Sequence, residues 1–176
     1  MFWRNIMELI REKTAAFTGH RQFAATDIFP VQIALQRMID RAKERGFDSF
    51  ISGMAIGVDQ WAAGMVADDP DLRLIAAIPC KEQYKKWPKS SQRYYFHLLE
   101  KADSVHYLSH RTYFPGCMND RNKWMVDRCS LVLSVWDGRS GGTCHAVEYA
   151  LDQGITVVNF DPVSASYKRL HPVRSR

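Results

Sequence analysis

The stretch LVLSVWDGRSGGTCHAVEYALDQGITVVNF, residues 131–160, decides the fold. Leu131–Trp136 is a short run of apolar and β-branched residues, and Asp137–Gly141 is rich in turn formers. Gly142–Gln153 then takes up a helical period, with Thr143, Ala146, Val147, Ala150 and Leu151 on one stripe. Gly154 suits the helix stop, and Ile155–Phe160 is a second apolar strand. A strand, a crossover helix and another strand in so short a span place the two strands parallel, because the helix carries the chain back to the edge it left.

The alternation continues toward the N-terminus. Thr14–Phe17, Phe47–Ser52, Leu72–Ile78 and Ser104–Leu108 are further candidate strands, making six, and several are too uniformly apolar to have a solvated face. Between them Pro30–Arg45, Val58–Ala67, Gln92–Ala102 and Cys117–Arg128 carry helical periods. In the first of these Val31, Leu35, Met38, Ile39 and Ala42 form the stripe, Pro30 suits the first helical position and Gly46 the stop. The expectation is an α/β fold, a Rossmann-like three-layer α/β/α sandwich on a mostly parallel sheet.

At 176 residues, with 46% apolar and 24% charged, the chain has the length and composition of one globular domain, expected over residues 14–161. An N-terminal extension, 1–13, carries Phe2, Trp3, Ile6 and Ile10 at spacings of an amphipathic helix, and because Arg4, Asn5, Glu8 and Arg11 break the stretch neither a signal peptide nor a membrane anchor is expected. Four cysteines at 80, 117, 129 and 144 form no CxxC pair and read as reduced thiols in a cytoplasmic protein. The six histidines show no metal-ligand spacing. Of the net charge of +5, a segment without acidic residues, 162–176, holds Lys168, Arg169, Arg174 and Arg176, so the remainder carries +1. Charge alone therefore implies no strongly basic groove.

In open parallel sheets ligands collect beyond the carboxyl ends of the strands, where helix N-termini aim free N–H groups. Three strand ends are unusual there: Thr18-Gly19-His20-Arg21, then Gly53-Met54-Ala55-Ile56-Gly57-Val58-Asp59, then Asp137-Gly138-Arg139-Ser140-Gly141-Gly142-Thr143. Glycine in each lets the backbone turn or approach a ligand, and Gly141-Gly142-Thr143 opening a helix is a candidate anion cradle. In the helix from Cys117, Met118, Arg121, Asn122 and Met125 share a face, so two polar residues interrupt an apolar stripe. A guanidinium so placed must meet either a carboxylate of the protein or an anionic ligand. Asp59 in a first helical turn is either a dipole-favoured cap or a partner for a ribose diol, and Asp137 is a second acidic candidate.

In combination and order, Thr18-Gly19-His20-Arg21, Gly53 to Asp59, Met118-Asn119-Asp120-Arg121-Asn122-Lys123-Trp124-Met125 and Trp136-Asp137-Gly138 with Ser140-Gly141-Gly142-Thr143 resemble the YpsA-like branch of the SLOG superfamily over about Thr14 to Asp161. The resemblance implies a Rossmann-type fold that binds a nucleotide or nucleotide derivative, such as an ADP-ribose derivative, in a sensing or regulatory role. It implies a site drawn from Thr18, Gly19, His20, Arg21, Gly53, Met54, Ala55, Gly57, Asp59, Arg121, Asn122, Asp137, Gly138, Gly141, Gly142 and Thr143. No metal or further cofactor is expected beside the nucleotide-like ligand, and a homodimer or larger homo-oligomer is, with Trp87, Trp124 and Phe114 as contact area. The related lonely-guy phosphoribohydrolases cleave a base from a nucleoside monophosphate, which would cast Arg121 and Glu148 as catalytic. Their Gly-Gly-x-Gly-Thr-x-x-Glu loop is altered here, and Glu148 follows Thr143 too late. Relatives of the DprA/Smf type make single-stranded DNA a further, less favoured partner.

Overall fold

The computed structural model describes residues 9–172. Thr14–Gly19 (β1), Ser49–Ser52 (β2), Arg73–Ile78 (β3), Ser104–Tyr107 (β4), Leu131–Val135 (β5), Thr156–Asp161 (β6) and Ser166–Leu170 (β7) form one sheet in the order β4-β3-β2-β1-β5-β6-β7. The first six are parallel, and β7 alone runs antiparallel, against β6. The helices are Ala25–Glu44 (α1), Val58–Ala67 (α2), Lys89–Lys101 (α3), Cys117–Val126 (α4) and Gly142–Asp152 (α5). This is the expected Rossmann-like α/β architecture.

Side chains alternate across a strand, so each strand feeds two cores. Ala15 and Phe17 of β1, Phe50 of β2 and Leu131 and Leu133 of β5 pack under α1, α2 and α3. Ala16, Ile51 and Val132, their immediate neighbours, pack on the opposite face under Met125 and Val126 of α4 and Val147 and Ala150 of α5. Burial on both faces is why these strands read as unbroken apolar runs.

The chain steps outward from β1 through β2 and β3 to β4, then returns to lay β5 on the other side of β1. Strand order reverses at that point, and a crevice opens beyond the carboxyl ends of β1 and β5. β1 runs two residues further than the expected Thr14–Phe17, because Thr18 and Gly19 pair with Ser134 and Val135. The sheet therefore delivers His20 and Trp136 to the same rim.

Two differences from the sequence reading have local causes. Pro30 is not the first helical residue: α1 begins at Ala25, and the proline costs one ladder bond close to the helix start. The seventh strand lies within the segment set apart as a basic tail. Its residues Ser-Tyr-Lys-Arg-Leu lack an apolar run because β7 is an edge strand, and exposed Lys168 and Arg169 protect such an edge from pairing with another chain. Of the amphipathic helix expected over 1–13, residues 1–8 lie outside the described residues. Arg11–Lys13 form a single 3-10 turn, tied to the domain by Arg11 Nε donating to the Cys129 carbonyl at 3.1 Å. No helix of the described residues is long and apolar enough to cross a membrane.

Candidate functional site

Beyond β1 and β5 lies a cavity of about 250 Å³ lined by Thr18, Gly19, His20 and Arg21 after β1, Ala55 and Asp59 at α2, Met118, Arg121 and Asn122 on α4, and Gly142 and Thr143 opening α5. Segments far apart in sequence thus converge, each through a strand end or the first turn of a helix. Gly53, Met54, Gly57, Asp137, Gly138 and Gly141, expected at the same site, are not among the residues that line this cavity. Glu148 is exposed on α5, accepts a contact from Cys144 Sγ at 3.4 Å, and stays outside the cavity.

Arg121 is 5% exposed, and three groups hold it. Nη1 donates to the Gly53 carbonyl, Nε donates to Asn122 Oδ1 at 2.9 Å, and Asp59 Oδ2 lies 3.8 Å from Nη1. Nη2 has no acceptor among the described residues, so part of the guanidinium is left for the cavity it lines. The reading of Arg121 as partner of a protein carboxylate is met by Asp59, at a distance longer than a hydrogen bond. Asp59 is thus the counter-ion of Arg121, while its Oδ2 also accepts from the Ala55 N–H at 3.4 Å. Burial pushes the Asp59 carboxyl above its ordinary value, with Arg121, the Ala55 N–H and Arg21 opposing.

The glycines on this side serve the protein. A Cβ at Gly53 would overlap the Arg121 guanidinium and fall 2.7 Å from Asp59 Oδ2, so only glycine lets the guanidinium lie on the backbone. Gly57 combines a φ of +88° with a close approach: a Cβ there would sit 2.6 Å from the His20 carbonyl oxygen. That carbonyl accepts from the Val58 N–H at 3.3 Å, which locks the start of α2 against the loop after β1. Met54 between them is fully buried at a φ of 59°, a left-handed conformation unusual for a side chain of its size. By contrast a Cβ at Gly142 would meet nothing, and Asn122 Nδ2 donates to its carbonyl at 3.3 Å. The open end of α5, with its unpaired first-turn N–H groups, therefore faces the cavity where Gly142 and Thr143 line it.

Asp137 acts at the rim. Its Oδ1 lies 2.8 Å from His20 Nε2 and its Oδ2 2.6 Å from Arg139 Nε, and the Arg139 N–H also donates to Oδ1 at 3.1 Å. Burial would raise this carboxyl, but the Arg139 N–H, His20 and the Arg139 guanidinium together hold it below its ordinary value.

A second cleft of about 920 Å³ adjoins the first, and His20, Arg21 and Met118 line both. Its other walls include Lys81, Gln83, Lys85, Lys86 and Trp87 after β3, Tyr113 after β4, and Arg139. Apart from Arg139, which belongs to the strand end Asp137–Thr143, none of these residues was expected at a ligand site. The signal available was position, since both loops follow carboxyl ends of parallel strands, and the cations of Lys81, Lys85 and Lys86 are clustered there. Trp87 and Trp124, expected as contact area for an oligomer, are half-buried: Trp87 lies edge-on to Tyr95 at 5.5 Å, Trp124 beside His106 at 5.1 Å and under Arg128. Phe114 lies under the Arg111 guanidinium at 4.9 Å. Among the described residues no three His, Cys, Asp or Glu side chains converge as a metal site.

Comparison with known proteins agrees with this architecture. The family described as the YspA SLOG family matches residues 16–156. A UPF0398 protein of Bacillus cereus strain G9842 is 29% identical over 156 residues, covering 81% of this chain and 84% of its own length. One from Bacillus thuringiensis strain Al Hakam matches with the same identity and coverage. Among solved structures, DNA processing protein A (DprA) from Streptococcus pneumoniae superposes with a TM-score of 0.63 at 20% identity, over 86% of this chain. This chain spans 51% of that protein, about half its length. DprA from Helicobacter pylori, described as binding single-stranded DNA, gives 0.62 at 18% identity, over 86% of this chain and 66% of that one. At these identities the likeness to DprA concerns the fold.

Proposed function

We propose that this chain, which belongs to the YspA SLOG family, binds a nucleotide or nucleotide derivative of the ADP-ribose kind in the 250 Å³ cavity and serves in sensing or regulation. One observation carries the reading: a guanidinium largely removed from solvent has no acceptor for its Nη2 among the described residues, in a cavity also lined by the open end of α5. A phosphate placed there accepts from both, and charge-assisted hydrogen bonds in a site of low dielectric are stronger than the same bonds in water. Thr143 adds a hydroxyl, and His20 and Arg21 flank the entrance.

The site is built to hold an anion, and the support for rapid turnover is weaker. A phosphoribohydrolase needs a carboxylate at the ribosyl carbon, and Glu148, the residue that would supply it, is exposed outside the cavity. Asp59 is occupied by Arg121. Single-stranded DNA binding, described for the Helicobacter pylori DprA, remains the second reading because of the cationic cleft beside the cavity.

Isothermal titration calorimetry against nucleotides, ADP-ribose and cyclic derivatives tests the proposal. A binder below the millimolar range is expected, weakened in Arg121→Lys, which keeps a buried charge but loses the planar fork. No binder, or a binder indifferent to Arg121, overturns it. Assay of free base from nucleoside monophosphates separates binding from hydrolysis, and sedimentation of the same preparation tests the homodimer.

A further inference from the structure

The wide outer cleft has no assigned role, and its chemistry differs from that of the inner cavity. Five cations line it, Arg21, Lys81, Lys85, Lys86 and Arg139, against one carboxylate, Glu82. Lys85 is neutralised by Glu82 at 2.9 Å and Arg139 by Asp137 at 2.6 Å. Lys81 and Lys86 have no carboxylate within ion-pair distance among the described residues. Like charges facing one concave surface raise the local potential and attract an anion. Gln83 lines the same cleft, next to the Tyr95 hydroxyl.

We infer that the outer cleft receives a second phosphate of the ligand anchored in the inner cavity, so that the preferred ligand is a nucleotide carrying two or more phosphates rather than a monophosphate; this rests on the nucleotide reading of the inner cavity. Continuity supports it. Arg21, His20 and Met118 belong to both spaces, and successive phosphates of a diphosphate are one bridging oxygen apart, so a cation at the junction reaches both. Lys81 and Lys86 then meet the distal charge. The cleft suits a strand of nucleic acid less well. Of its aromatic lining, Trp87 is engaged edge-on with Tyr95 at 88°, which leaves Tyr113, 68% exposed, as the ring available for stacking, whereas single-strand binding relies on several.

Calorimetry at fixed ionic strength with AMP and ADP, on the full chain and on the exposed-site double variant Lys81→Ala/Lys86→Ala, tests the inference, with circular dichroism as the check of folding. ADP is expected to bind the native protein at least about tenfold more tightly than AMP, a ratio that corresponds to one net charge-assisted contact. The double variant should bring ADP down to the AMP level and leave AMP unchanged. Equal affinity for AMP and ADP in the native protein, or a double variant that weakens both alike, overturns the inference while the nucleotide reading stands. If neither AMP nor ADP binds, the inference fails, and titration with ADP-ribose and cyclic derivatives decides separately on the nucleotide reading. Oligothymidylate binding that disappears in the double variant, with the ADP preference intact, assigns the cleft to nucleic acid and overturns the inference as well.

Discussion

His20 Nε2 lies 2.8 Å from Asp137 Oδ1, joining the loop after β1 to the loop after β5 across the rim of the crevice. A carboxylate can only accept, so in this contact Nε2 is the donor. Arg139 closes the other side of the same carboxylate at 2.6 Å. One acidic side chain therefore fixes a residue shared by both cavities and a cation of the outer one.

The stability contributed by Asp137 follows from its lowered carboxyl pKa. Relative to the ordinary value of 3.8, a carboxyl held lower in the folded state stabilises fully above 3.8, and the contribution is lost as pH falls through the lower folded value. The melting temperature of the native protein should drop more steeply between about pH 4 and pH 2 than that of Asp137→Asn. Parallel curves from thermal denaturation followed by circular dichroism would contradict this.

Gly53→Ala should destabilise by about 1–3 kcal/mol, the usual cost of inserting a methyl group into filled space. The Cβ falls on the Arg121 guanidinium, so ligand affinity should fall with stability. Urea denaturation and calorimetry measure the two losses. A change at Gly142, where a Cβ meets nothing, serves as the comparison and should spare stability.

Asp59→Ala leaves the buried Arg121 without its counter-ion, and loss of about 3–5 kcal/mol in urea denaturation is expected. Replacing both partners by apolar residues, Asp59→Leu with Arg121→Met, should recover a large part of that stability while abolishing nucleotide binding. Recovery of both stability and binding would show that the pair does not serve the anion.

Glu148→Gln is expected to leave both stability and nucleotide affinity within about 0.5 kcal/mol of the native protein, as for exposed substitutions away from special features. A marked loss of affinity in calorimetry would return this residue to the site.

Lys168→Ile with Arg169→Val should turn the sheet edge into an apolar template. These residues pair with Asn159 and Val158 of β6, and β7 ends the strand order among the described residues. Light scattering should detect concentration-dependent association absent from the native protein.

Local signals made much of the fold legible. The helix Val58–Ala67 matches its sequence reading at both ends, and the helix from Cys117 begins where expected. Both have their apolar spacing and their stops written within a few turns of chain. β7 escaped because its stabilising partner is β6 and its own residues are polar. The strand ends around the crevice were legible as a set, but the contacts among them were not. Glycine placement marks a need for space, and at Gly53 and Gly57 the space is taken by Arg121 and by the His20 backbone.

The sequence by itself determined that strands and helices alternate, that the strands are buried on both faces, and that three glycine-bearing turns and an arginine on an apolar stripe gather at one edge. Periodicity and turn chemistry act over a few residues, so they can be read without coordinates. Only the tertiary structure decided that Asp59 balances Arg121, that Asp137 clamps His20 and Arg139, and that a cationic cleft from the β3 and β4 loops adjoins the inner cavity. Those relations join residues on separate elements, and their distances are set by how the helices dock on the sheet.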